Sequence, residues 1–147
     1  MPINVVVAQA HQDRLQNDEN RKEFENIRDA FFSTELEYKA GTINYVFLKG
    51  AYRDFEKKMS TVCVFVNKLA KPVKEIHGVI RLGFRFIKAE IARVTLNFDE
   101  GFIGQLRPDE GLLFNINIPV KGLSSDQEFF IQDIEGFFDE VRFTYSE

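Results

Sequence analysis

From residue 60 to residue 145 the chain alternates polar and apolar residues almost continuously, and short turns of Gly, Pro and Asp interrupt the alternation. Side chains on a β-strand point to opposite faces with period 2, so such runs bury one face of a sheet and wet the other. The clearest segment is 76–86. Ile76, Gly78, Ile80, Leu82, Phe84 and Phe86 share one parity, and His77, Val79, Arg81, Gly83 and Arg85 share the other. Ala92, Val94, Leu96 and Phe98 then face inward, opposite Arg93, Thr95 and Asn97. Turns at Asp99-Glu100-Gly101 and Arg107-Pro108-Asp109-Glu110-Gly111 follow. Leu112, Phe114, Ile116 and Ile118 face inward next, with Asn115 and Asn117 outward and Pro119 ending the strand. Residues 127–132 and 140–145 supply the last two strands. The acidic stretch between them, with Asp133, Glu135 and Asp139 around Phe137 and Phe138, reads as a loop tucking its aromatics under the sheets. Segment 42–48 is rich in β-branched and aromatic types, and 61–67 is apolar on both faces, as a central strand requires. About seven or eight strands without intervening helical periods predict a mainly β chain, an immunoglobulin-like antiparallel β-sandwich, with a small barrel as the alternative.

The N-terminal part has a different period. Asn20 reads as an N-cap, and Glu23 stands three residues on to complete a capping box. Phe24, Ile27 and Phe31 follow at i, i+3 and i+7 as one narrow apolar stripe, which predicts an amphipathic helix over 20–32. So narrow a stripe must lie on something: the parent domain, a partner or a second copy. The expected organisation is an N-terminal arm and helix over 1–34 and a β-sandwich domain over 35–147. The apolar run 3–8 suits an edge strand, either within this chain or exchanged in a homodimer.

Composition narrows the function. Hydrophobic residues at 44% of 147 suffice for a core without metal or disulfide staples, and sixteen Phe with no Trp make that core aromatic. A net charge of −4 argues against nucleic acid as a partner. No apolar run approaches the ~18 residues a membrane span needs. The first residues lack the basic region of a secretory signal. The one cysteine, Cys63, lies in the apolar run Val62-Cys63-Val64-Phe65-Val66 and reads as a buried thiol. A cytoplasmic location is expected.

Catalytic constellations are missing. His11 and His77 form no ligand pair, and Ser124-Ser125 lacks the surroundings of a nucleophile elbow. Gly101, Gly104 and Gly111 are spaced for turns and not for a phosphate loop. No catalytic residue, cofactor or metal is therefore expected. What remains is a non-catalytic binding or assembly module acting through a protein partner; the alternative is a small-ligand or carbohydrate-binding sandwich. Two surfaces are candidates. One is an outward basic face of Arg81, Arg85 and Arg93, joined by Asn97, Asn115, Asn117 and Arg142. The other is the helix stripe of Phe24, Ile27 and Phe31.

At Val66-Asn67-Lys68-Leu69-Ala70-Lys71-Pro72-Val73 a strand ends in Asn-x-Leu, followed by a Pro-bearing turn and a long alternating strand. Downstream come Leu96-Asn97-Phe98-Asp99-Glu100-Gly101-Phe102-Ile103-Gly104-Gln105-Leu106-Arg107-Pro108 and then Leu112-Leu113-Phe114-Asn115-Ile116-Asn117-Ile118-Pro119. Together these segments, roughly residues 42–120, resemble the SLAP domain. That family is associated with accessory secretion and surface-layer assembly in spore-forming Gram-positive bacteria. The resemblance implies a small all-β domain, preceded in some members by a polar amphipathic helix, with an assembly role near secretion or envelope machinery and no catalytic residues.

Overall fold

The alternating segments close into two sheets around one aromatic core. The computed structural model describes residues 3–33 and 36–146, apart from the side chains of 9–11, 32 and 33. The expected boundary at 34–35 and the His11 side chain lie outside the described residues. The larger sheet contains β1 (Asn4–Val7), β2 (Ile43–Arg53), β3 (Lys58–Asn67), β7 (Glu110–Lys121) and β8 (Gln127–Phe130), in the order β1-β7-β3-β2-β8. A short β5 (Glu90–Ile91) also pairs with β7. The smaller sheet is β6 (Val94–Phe98), β4 (Val73–Phe84) and β9 (Ile134–Tyr145), in that order. Two separate sheets make a β-sandwich and not a closed barrel. Helix α1 (Asp18–Ser33) precedes them, and the single-turn α2 (Glu100–Ile103) follows β6.

One pair departs from the antiparallel expectation. β1 runs parallel to β7, with Val5 opposite Gly111. Parallel neighbours need a long crossover, and here most of the chain lies between the two strands. Residues 4–7 of the apolar run 3–8 thus form an edge strand within this chain.

Phe65 sits at the centre of the core. Its ring lies 4.7 Å from Phe114, 4.6 Å from Phe138 and 5.9 Å from both Tyr45 and Phe98. The contacts with Phe98 and Phe138 cross to the smaller sheet, those with Tyr45 and Phe114 stay within the larger one, and Ile76, Ile80, Leu112 and Ile118 complete the packing. The apolar character of 61–67 has a second cause. Odd positions of β3 face the sandwich interior, while Val64 and Val66 face outward, where Ile3, Val5 and Phe31 cover them. Helix α1 is therefore a third layer on the larger sheet, anchored by Phe31 at 5% exposure. Burying one such ring contributes ~1.5–3 kcal/mol.

Local chemistry corrects several expectations. The helix starts at Asp18, and the cap is Asn17, not Asn20: Asn17 Oδ1 accepts the Asn20 N–H at 3.1 Å. Asp18 and Glu19 in the first turn oppose the positive end of the helix dipole. Pro119 does not end its strand. It pairs with Lys58, the terminal residue of β3, so its missing N–H falls at the end of that ladder, and its carbonyl accepts the Ala92 N–H at 2.9 Å. Ala92 itself is exposed and precedes β6. The expected acidic loop is instead, from Ile134 on, the first half of β9, with Asp133 in a single 3-10 turn before it. A bulge between His77 and Val79, with Glu140 at φ 53°, changes the parity there. Phe138 consequently packs on Phe65, whereas Phe137 faces solvent.

Candidate functional site

The outer face of the smaller sheet carries the predicted arginines. In register, Val79 lies opposite Asp139, Arg81 opposite Phe137, Gly83 opposite Glu135 and His77 opposite Arg142. Strand β9 therefore lays its carboxylates beside the β4 cations. Arg81 Nε donates to Asp139 Oδ2 at 2.9 Å, and the same guanidinium lies 4.5 Å over the Phe137 ring. Arg85 Nη1 donates to Glu135 Oε1 at 3.1 Å. His77 is held between Glu75 Oε1 at 3.1 Å and Asn97 Oδ1 at 3.0 Å. Arg93 is exposed, one step beyond the last β4–β6 pair of Ile80 and Val94, and has no carboxylate within 4.0 Å among the described residues. Arg81, Asn97 and Arg142 do share this sheet, with Arg85 and Arg93 just outside the ends of its strands, but acidic residues stand among them. Both ion pairs are well exposed, so each contributes only ~0–1 kcal/mol.

Asn115 and Asn117 are not part of that face. They project from β7 on the outer side of the larger sheet, across the sandwich from the arginines. Asn117 accepts the Ser60 hydroxyl at 2.9 Å. Asn115 pairs in register with Val62 and lines a groove of about 310 Å³ between α1 and the sheet. Phe24 and Ile27 form the helical wall of this groove, and Val62 and Leu113 its floor. Phe31 is deeper, in the helix–sheet contact. The stripe of α1 thus packs on its own sheet, and two of its three residues border a cavity.

One surface was missed in the sequence. Strand β4 stops at Phe84, so Phe86 and Ile87 leave the sheet instead of facing its interior. Phe86 is 80% exposed, and Ile87, Phe130 and Ile131 are also exposed. The Arg85 N–H donates to the Asp133 carbonyl at 3.0 Å, and the Phe84 ring lies 4.8 Å from Phe129. Residues 84–87 and 129–133 are therefore neighbours at one end of the sandwich. The available signal was the run Phe86-Ile87-Lys88, where the alternation fails.

Several other reactive groups have partners within the fold. Cys63 is fully buried, within 3.0 Å of the Tyr45 hydroxyl, and burial pushes its thiol up to about 11. Asp99 caps α2 by accepting the Phe102 N–H at 3.0 Å. Asp109 pairs with Lys68 at 2.7 Å, and Glu110 accepts the Arg107 N–H at 2.8 Å. Lys57, at 2.7 Å, holds the Asp54 carboxyl below its ordinary value. Among the described residues no group of three His, Cys, Asp or Glu side chains could hold a metal ion. No helix among them is long and apolar enough to cross a membrane. The chain matches no protein-family model, no curated protein and no solved structure.

Proposed function

We propose that this chain is a non-catalytic binding or assembly module that acts by protein–protein interaction. The observation that carries this reading is the apolar end of the sandwich, where Phe86, Ile87 and Ile131 stand exposed on adjoining segments. Single exposed apolar residues are ordinary, but a group of them rimmed by polar residues is the usual mark of a contact surface. Arg85 leads into this end and Lys88 follows Ile87. Arg81, stacked on Phe137 and fixed by Asp139, extends the surface along the smaller sheet. Aromatic residues and arginine are the types that carry most interface energy, and an arginine already held in place loses less freedom on binding. The resemblance to the SLAP domain supports an assembly role near secretion or envelope machinery.

The test is capture of partners from native lysate on immobilised protein, beside a Phe86→Ser/Ile131→Ser variant and an Arg81→Ala/Arg85→Ala variant. A defined protein that is lost with the first variant and weakened with the second supports the reading. The same bound set on all three surfaces, or none, removes it. Sedimentation of the free proteins shows whether the partner is a second copy.

A ligand-binding reading gains nothing from the sandwich interior, where rings from both sheets fill the space. It gains more from the groove beside α1.

A further inference from the structure

We infer that the groove between α1 and the outer face of the larger sheet is a binding site for a small apolar carboxylate. Its volume of about 310 Å³ falls at the lower end of the ~300–1,000 Å³ typical of small-molecule sites, which limits the ligand to one ring or one short chain. The walls are apolar on both sides: Phe24 and Ile27 from the helix, Val62 and Leu113 from the sheet. Recognition of charge comes from Arg14, which precedes α1 and lines the same space. Neighbouring charges are already matched. Glu23 pairs with Lys49 at 3.2 Å, and Arg21 pairs with Asp18 at 2.6 Å. Arg14 has no carboxylate within 4.0 Å among the described residues, so the groove carries one uncompensated positive charge. Asn115 adds a side-chain amide that makes no hydrogen bond among the described residues. A guanidinium fork can bind both oxygens of a carboxylate, and an adjacent amide can donate to one of them. Apolar walls with one unpaired cation, and with Asn20 and the Lys49-paired Glu23 also on the lining, suit a monoanion and not a phosphate.

The site lies across the sandwich from the Arg81–Phe137 surface, so its test is independent of the protein-binding reading. Decanoate is titrated into the isotopically labelled protein and followed by amide chemical shifts, with decanol as the neutral control. Saturable shifts at Ile27, Val62, Leu113 and Asn115, with decanoate at least tenfold tighter than decanol, are expected. Arg14 is exposed, and its backbone carbonyl, which accepts from Asn17, is retained on substitution. Arg14→Gln should therefore fold and abolish the difference between the two probes, whereas Arg14→Lys should keep most of it. Non-saturating shifts, shifts centred on Phe86 and Ile131, or equal affinity for decanol would overturn the proposal. So would an Arg14→Gln variant that loses both probes together, since Arg14 would then shape the groove and not recognise charge.

Discussion

Asn67 ends β3 with no exposed surface, and its side chain ties the turn that follows it to the distant Leu106. Oδ1 accepts the Leu69 N–H at 2.8 Å, while Nδ2 donates to the Lys71 carbonyl at 3.1 Å and the Leu106 carbonyl at 3.0 Å. Asn67→Ala removes all three bonds, but the consequences differ among them. The Leu106 carbonyl still accepts the Val73 N–H at 2.9 Å, and Lys71 lies at the surface, where water can replace the amide. The buried Leu69 N–H has no such recourse. Three bonds at ~1 kcal/mol net, weighted towards an orphaned donor at ~1–3 kcal/mol, give a loss of about 2–4 kcal/mol. That corresponds to a fall of ~5–15 °C in Tm for a chain of this size. Asn67→Asp is the more discriminating variant. It keeps an acceptor for Leu69 but turns an ionised oxygen towards two carbonyls, which raises its folded pKa above the unfolded ~3.9. A raised pKa means stability that is fully present below the unfolded value and lost as pH rises through the folded one. Urea denaturation should therefore find Asn67→Asp no worse than Asn67→Ala at pH 4 and clearly worse at pH 8. A pH-independent gap between the two would refute the assigned orientation of the amide.

Gly78 faces the core, and an added Cβ would stand 2.5 Å from Phe138 Cε1, so Gly78→Ala should cost about 1–3 kcal/mol in denaturant titrations. An unchanged midpoint would mean that Phe138 is free to leave Phe65. The Cys63 thiol, raised from 9.0 to about 11, stabilises the fold fully below pH 9.0, and that contribution is lost as pH rises through about 11. The loss is about 2–3 kcal/mol over that window and should shrink in Cys63→Ser, while the native thiol should resist alkylation at neutral pH until the chain unfolds. Arg81→Ala/Arg85→Ala removes only exposed ion pairs and one ring contact, so its unfolding midpoint should shift by less than the equivalent of about 1 kcal/mol.

Parity was readable wherever the two faces of a strand meet different surroundings. On β4 one face packs on Phe65 and its neighbours while the other is wet, so Ile76, Ile80 and Leu82 alternate cleanly with His77, Val79 and Arg81. On β3 both faces are covered, and the lack of alternation correctly marked a central strand without revealing that α1 supplies the second cover. Strand β9 failed for a different reason. Its bulge shifts the parity within the strand, and adjacent Phe137 and Phe138 on opposite faces look like an apolar patch in a loop. Pairing of β1 with β7 depends on contacts more than a hundred positions apart, which no local pattern carries.

The missed first half of β9 also decides how the surface is read. Parity says which side chains point outward, but charge is a property of neighbouring strands together. Once residues 133–139 are taken as a loop, nothing in the sequence sets Glu135 and Asp139 beside Arg85 and Arg81, and the face looks basic. Asn115 shows the converse. Its outward parity was right, yet parity cannot say which of two sheets is meant. The structure sets it against Phe24 and Ile27, two candidates drawn from a helix that shares no period with it. A groove between layers depends on how a helix lies across a sheet, and here that angle follows from Phe31 packed with Val64 and Val66 of β3, Val5 of β1 and the preceding Ile3. Shortening this anchor, as in Phe31→Ala, would therefore alter the groove without touching any residue that lines it. Decanoate shifts at Val62 and Leu113 should weaken in that variant even where its far-ultraviolet spectrum is unchanged.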